Sequence, residues 1–172
     1  MIIEKLAVGP IMANCFVIGC EDTQEGAVID PGADADRIMD VVQRAGLKIT
    51  RIINTHGHFD HVGGNAAIKD ATDGELIIHP LDAPMLAQLD QMAGAFGLSV
   101  ENSPPPDRTV AEGDQIQVGH HHFGYILGQI LDDSLADNAC STQNDDARHE
   151  RLLLCCWLSV AGDWLLVVSD PG

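Results

Sequence analysis

The sequence predicts an α/β fold in which short strands alternate with helices in layers. Three observations carry this expectation. Short apolar, β-branched runs recur, as in "AVID" (27–30), "ITRII" (49–53) and "ELIIH" (75–79). Stretches with helical spacing of apolar residues lie between them. Proline and glycine punctuate the joins, most clearly at Pro31-Gly32. Strands that alternate with helices favour α/β layers over an all-β sandwich.

Taken in order, residues 1–8 and 15–19 ("CFVIG") read as strands, and 27–30 as a third. Asp34 or Asp36 can cap a helix that runs to about Ala45, with Ile38, Val41, Val42 and Ala45 on one face and Gly46 as its stop. Residues 49–53 form a strand, 62–72 a helix, 75–79 a strand and 81–93 a helix. "SPPPD" (103–107) is a rigid connection. "GDQIQVG" (113–119) alternates polar and apolar residues and reads as a half-buried strand. Beyond Gly119 the periodicity is mixed, and no proline occurs between Pro106 and Pro171.

A chain of 172 residues with 45% hydrophobic content suits one globular domain. Its formal net charge of −17 repels phosphate backbones, which excludes nucleic acid as an expected partner. Cys15, Cys20, Cys140, Cys155 and Cys156 form no CxxC pair and no disulfide framework. Together with an N-terminus lacking a long apolar segment, they predict a reduced, cytoplasmic setting. The apolar run 152–168 is shorter than the roughly 20 residues of a spanning helix and contains Asp163, so no membrane partner is expected.

The densest chemistry lies in "NTHGHFDHVGG", 54–64. His56 and His58, two apart in an extended or tightly turned segment, project to one side and can reach one point. Asp60 and His61 follow and can face a second point. Imidazole nitrogen and carboxylate oxygen suit zinc, iron or manganese. Three protein ligands with an open position make a catalytic metal, which supplies a Lewis acid and a nucleophile near neutral pH. The small Gly57 removes bulk between the ligands, and Gly63-Gly64 are expected to turn the backbone into the next helix. His79 reads as structural or pocket-lining. His120, His121 and His122 resemble a short metal-binding tract, but consecutive residues alternate sides. His149 lies in a polar, loop-like stretch. No GxSxG, GxxxxGK[ST] or GxGxxG motif is present.

"THGHFDH" (55–61) resembles the T-H-x-H-x-D-H signature of the metallo-β-lactamase superfamily. "VGPIMANCFVIG" (8–19), "GAVIDPGAD" (26–34) and "PPDRTVAEGDQIQVG" (105–119) resemble segments of its glyoxalase II-like, hydroxyacylglutathione hydrolase-like branch. The resemblance covers about residues 1–119. It implies an αββα sandwich with metals at one edge between two sheets. It implies that His56 and His58 bind a first metal, and that Asp60 and His61 bind a second. Asp60 would also orient the attacking water and is the implied catalytic residue. The implied activity is zinc-dependent hydrolysis of a small-molecule thioester, with one or two zinc ions and with iron or manganese as alternatives. An iron-dependent sulfur dioxygenase is a further alternative within the superfamily.

The chain departs from that pattern in its last third. It has no Pro-Gly-His turn, and only Gly162-Asp163 resembles the family's later Gly-Asp turn, which makes Asp163 a weak ligand candidate. The expectation is therefore a single domain, 1–172, in which 1–119 follow the family and 120–172 diverge. A reading-frame shift relative to an intact ancestor, or divergence after lost function, would account for this; a genuine, unusual C-terminal half is the alternative. An incomplete second half would leave apolar surface uncovered, which points to an inactive or truncated member and to self-association as a homo-oligomer.

Overall fold

A computed structural model describes residues 1–126, together with the backbone of two short strands at 153–154 and 165–169. Strands β1 (Ile2–Val8), β2 (Ala13–Gly19) and β3 (Glu25–Ile29) form an antiparallel meander. The chain then crosses through α1 (Ala35–Ala45) to β4 (Lys48–Ile53), which pairs parallel with β3. Helices α2 (Phe59–Val62) and α3 (Asn65–Thr72) lead to β5 (Glu75–Ile78), parallel to β4. A 3-10 turn (Ala83–Gln88) and α4 (Leu89–Gly94) precede β6 (Arg108–Thr109), which closes a six-stranded sheet in sequential order. A second sheet has the order β7 (Gln115–Val118), β8 (His121–Ile126), β10 (Leu165–Ser169), β9 (Leu153–Leu154).

The first sheet is buried on both faces, and side-chain alternation explains how one strand serves two cores. Cys15, Val17, Val28, Ile52, Leu76 and Ile78 face the helices. Their neighbours Phe16, Ile18, Ala27, Ile29, Ile53 and Ile77 face the second sheet, where Ile116, Val118 and Phe123 meet them. This is the expected layered α/β arrangement: helix, sheet, sheet. Among the described residues, these three layers are the ones present.

Several expectations shift in detail. Asp34 sits at the N-cap of α1 in a left-handed conformation (φ 54°) but makes no side-chain cap. Its carboxylate instead accepts the Gly9 N–H at 3.0 Å and pairs with Arg37 at 2.9 Å, tying the helix to the β1–β2 turn. The helix expected over 62–72 is broken at Gly63-Gly64, and that over 81–93 begins as a 3-10 turn with proline near its start. Order also persists beyond Gly119. Gly119 (φ 58°) and His120 turn the chain so that β8 pairs with β7, Val118 opposite His121. Phe123 is buried between His122 and Gly124, so the period-2 signal there is faint in the sequence.

Gly63 and Gly64 were expected to serve a sharp turn, yet both have ordinary right-handed helical backbone (φ −63° and −93°). What they permit is proximity. The Asp30–Gly32 turn lies directly on the 58–64 segment: the Gly64 N–H donates to the Pro31 carbonyl at 2.6 Å. A Cβ on Gly32 would stand 1.6 Å from the Asp60 carbonyl oxygen. Gly32→Ala should therefore destabilise the protein by at least about 2 kcal/mol through overpacking. Gly94→Ala, where no atom lies within 4 Å of the added Cβ, should be neutral or slightly stabilising. Urea midpoints of the two variants check this; equal midpoints would contradict the close approach.

Candidate metal centre

The parallel strands β3, β4 and β5 end on the same side of the sheet, and each is followed by a polar residue that is almost fully buried. Asp30 follows β3, Asn54 and Thr55 follow β4, and His79 follows β5. Carboxyl ends of parallel strands are where α/β folds place their sites, because the loops there leave the sheet toward opposite layers.

Asn54 and Asn65 exchange two side-chain hydrogen bonds, at 3.1 and 2.8 Å, and Asn65 also donates to the Ser103 hydroxyl at 3.0 Å. This buried amide pair joins the end of β4 to the start of α3 and fixes both ends of the 54–65 loop. Gly57 holds its middle: its N–H donates to Asp82 Oδ1 at 3.2 Å, and a Cβ there would press on Met85 at 2.9 Å.

Within that loop Asp30 is the organising charge. It is 4% exposed and takes a left-handed backbone conformation (φ 51°), which turns its carboxylate under the histidines. Oδ1 accepts the Thr55 N–H at 2.8 Å. Oδ2 accepts the Thr55 hydroxyl at 2.6 Å and the His61 Nδ1–H at 3.1 Å. The Thr55 hydroxyl has one hydrogen, committed to Asp30, so its oxygen accepts from His56 Nδ1 at 3.0 Å. The network thus assigns the Nδ1–H tautomer to both His56 and His61 and leaves both Nε2 atoms bare. A carboxylate behind a ligating imidazole is the usual way its orientation and basicity are set.

The rings converge. His56 lies 4.1 Å from His61 and 4.6 Å from His58 between centroids. Asp60 Oδ2 is 3.7 Å from His61 Nε2. Burial, outweighing the attraction of Asp30, lowers the His56 pKa to about 4 and keeps its imidazole neutral. Burial also opposes charge on His61, but the hydrogen bond and charge of Asp30, with Asp60, raise its pKa.

The structure brings together all four residues singled out in the motif. His58 is exposed at the mouth, while His56, Asp60 and His61 are half-buried. Donor atoms of Asp30, His56 and His61 all lie within 4.8 Å of one another, a grouping that the spacing of His56 and His58 does not suggest. Asp30 has both oxygens engaged by donors, so it acts as a positioning residue for the two imidazoles. Three imidazoles and the Asp60 carboxylate form a borderline nitrogen–oxygen donor set, and the bare Nε2 atoms with the carboxylate beside them fit a divalent metal. Asp30, Thr55, Asn54 and Asn65 escaped the sequence reading. An acid that ends an apolar strand directly before Pro-Gly is the signal that could have found the first.

His79 is buried and its Nδ1 accepts the Leu81 N–H at 3.3 Å, in keeping with the structural role expected. Asp163 and His149 lie outside the described residues. Among the described residues, no helix is long and apolar enough to cross a membrane.

The sequence matches the metallo-beta-lactamase superfamily over residues 8–129. It is 37% identical over 123 residues to an uncharacterized protein of Aquifex aeolicus, covering 72% of this chain and 57% of that one. It is 38% identical over 121 residues to the hydroxyacylglutathione hydrolase of Rhodospirillum rubrum, covering 67% of this chain and 40% of the enzyme. The chain thus spans about half the length of the curated relatives it matches. Among solved structures, TTHA1623 in a di-iron-bound form superposes with a TM-score of 0.63 at 31% identity, over 72% of this chain and 59% of that one. Sequence motif, layered sheets and the histidine loop at their edge agree, and the chain belongs to the metallo-β-lactamase superfamily.

Proposed function

We propose that this protein is a metal-dependent hydrolase of thioesters, of the hydroxyacylglutathione hydrolase type, with zinc as its metal. The observation that carries the reading is the pair of bare imidazole nitrogens that the Asp30 network leaves on His56 and His61, with His61 Nε2 3.7 Å from Asp60 Oδ2. The names of several relatives, hydroxyacylglutathione hydrolases at 34–38% identity, support the substrate class. A bound divalent ion supplies a Lewis acid and a water nucleophile ionised near neutral pH.

The residues of the chain do the rest. His56, His58 and His61 would hold the ion, and burial keeps the His56 ring neutral and ready to bind. Asp60, half-buried beside His61 Nε2, holds a ligand position and orients the attacking water through its carboxylate. Asp30, hydrogen-bonded behind the rings, keeps them in register. Water adds across the acyl C–S bond, and the products are a carboxylic acid and a thiol. The cytoplasm is the compartment proposed, where free thiols such as Cys15 and Cys20 persist.

The di-iron form of TTHA1623 favours iron as the alternative metal. With iron, the competing reaction is sulfur dioxygenation, which oxygen consumption would reveal. A metal content near zero, with no turnover of S-lactoylglutathione, would instead mark an inactive family member.

Two substitutions separate the roles. Asp60→Asn keeps the shape but removes the charge. It should lower thioester turnover, followed by thiol release, at least about a hundredfold while the melting temperature stays within a few degrees. Wild-type turnover would remove Asp60 from the mechanism. Asp30→Asn places an amide N–H₂ against two other donors and should weaken zinc binding about 10- to 100-fold in chelator competition. An unchanged zinc affinity would contradict the positioning role.

A further inference from the structure

The opposite end of the sandwich carries a second set of metal-ligand side chains. β2 runs away from the histidine loop, and Cys20 follows its last residue. There Cys20 Sγ, an Asp22 carboxylate oxygen and a His120 ring nitrogen lie within 4.8 Å of one another. Cys20 and Asp22 belong to the β2–β3 turn of the first sheet, and His120 to the β7–β8 turn of the second. Gly119 makes this meeting possible: a Cβ there would stand 2.4 Å from Cys20 Cβ and 2.5 Å from the Thr23 hydroxyl. Its N–H is anchored on Glu25 Oε2 at 3.1 Å, which fixes the second turn upon the first.

The thiol is buried, while Asp22 and His120 are exposed and form an open mouth. Hydrogen bonds from the backbone of His120, the hydroxyl and backbone of Thr23 and the backbone of Asp22 converge on the sulfur. They lower its pKa to about 7 against the opposing effect of burial. Cys15, by contrast, is buried beside Asp30 and its pKa is raised, which keeps it a thiol.

We propose that Cys20, Asp22 and His120 form a second metal site, independent of the histidine loop, for a thiophilic divalent cation of the zinc class. A thiolate, an imidazole and a carboxylate are the donors that zinc accepts, and three of them leave one position for water. Donors of a closed zinc site stand about 3.6 Å apart. The two exposed side chains can rotate inward onto the fixed sulfur to reach that spacing. Because its ligands come from turns of different sheets, the bound cation clips the two sheets together at the end remote from the histidines. The strongly acidic surface, with net charge −17, draws cations to it.

Cobalt(II) titrated into the full-length chain tests this. Nitrogen and oxygen donors of the histidine loop give only weak visible bands, whereas a thiolate ligand adds an intense near-ultraviolet charge-transfer band. The wild-type chain should develop that band, and Cys20→Ser should lose it. His120→Gln and Asp22→Asn, on exposed side chains that do not threaten folding, should each raise the cobalt concentration needed by at least about tenfold. No charge-transfer band in the wild type would overturn the proposal. So would a band that persists in Cys20→Ser, or one indifferent to both exposed variants.

Discussion

A buried carboxylate is costly to desolvate and tolerable only when its oxygens are hydrogen-bonded, and Asp30, with three donors shared between its two oxygens, meets that condition. Its hydrogen bonds reach Thr55 twice and His61 once, and through the Thr55 hydroxyl they reach His56. One charge therefore sets the tautomer, the tilt and the neutral or shared-proton state of two imidazoles. The left-handed backbone at Asp30 is the local strain that aims it, and such strain persists where surrounding structure over-determines it.

That over-determination comes from packing. The Asp30–Gly32 turn touches the 58–64 segment closely enough that no side chain fits between them, so the glycines at 32, 63 and 64 transmit the position of one loop to the other. The Asn54–Asn65 pair locks the loop ends, and the two-faced sheet beneath, with Ile52 and Ile53 pointing to opposite cores, gives both loops a rigid base. The site sits where three strand ends, each satisfied by its own buried polar residue, meet at one edge.

Much of this was legible in the sequence. Strands with uninterrupted β-branched runs announce themselves because both faces are buried, and the resemblance to T-H-x-H-x-D-H marks His56, His58, Asp60 and His61 as candidate ligands. The Asp30 role was not legible, because a lone acid before Pro-Gly reads first as a turn former, and only burial shows that it points inward. Gly63-Gly64 suggest a sharp turn in the sequence, whereas their function is closeness, a distinction that backbone angles decide. β8 hid because its buried Phe123 lies between a histidine and a glycine, which blurs the alternation. The Cys20–Asp22–His120 group joins turns about a hundred residues apart. Linear spacing cannot bring such residues together.

The claim on which the account rests is that Asp30 holds His61, and through Thr55 His56, with the proton on Nδ1. Nitrogen NMR of isotope-labelled histidines, recorded at a pH where the imidazoles are neutral and before metal is added, reads the tautomer of each ring directly. The account predicts that His61 and His56 are both Nδ1–H, with Nε2 bare and free to take a metal. A proton found on Nε2 of His61, or an even mixture of tautomers, would contradict it.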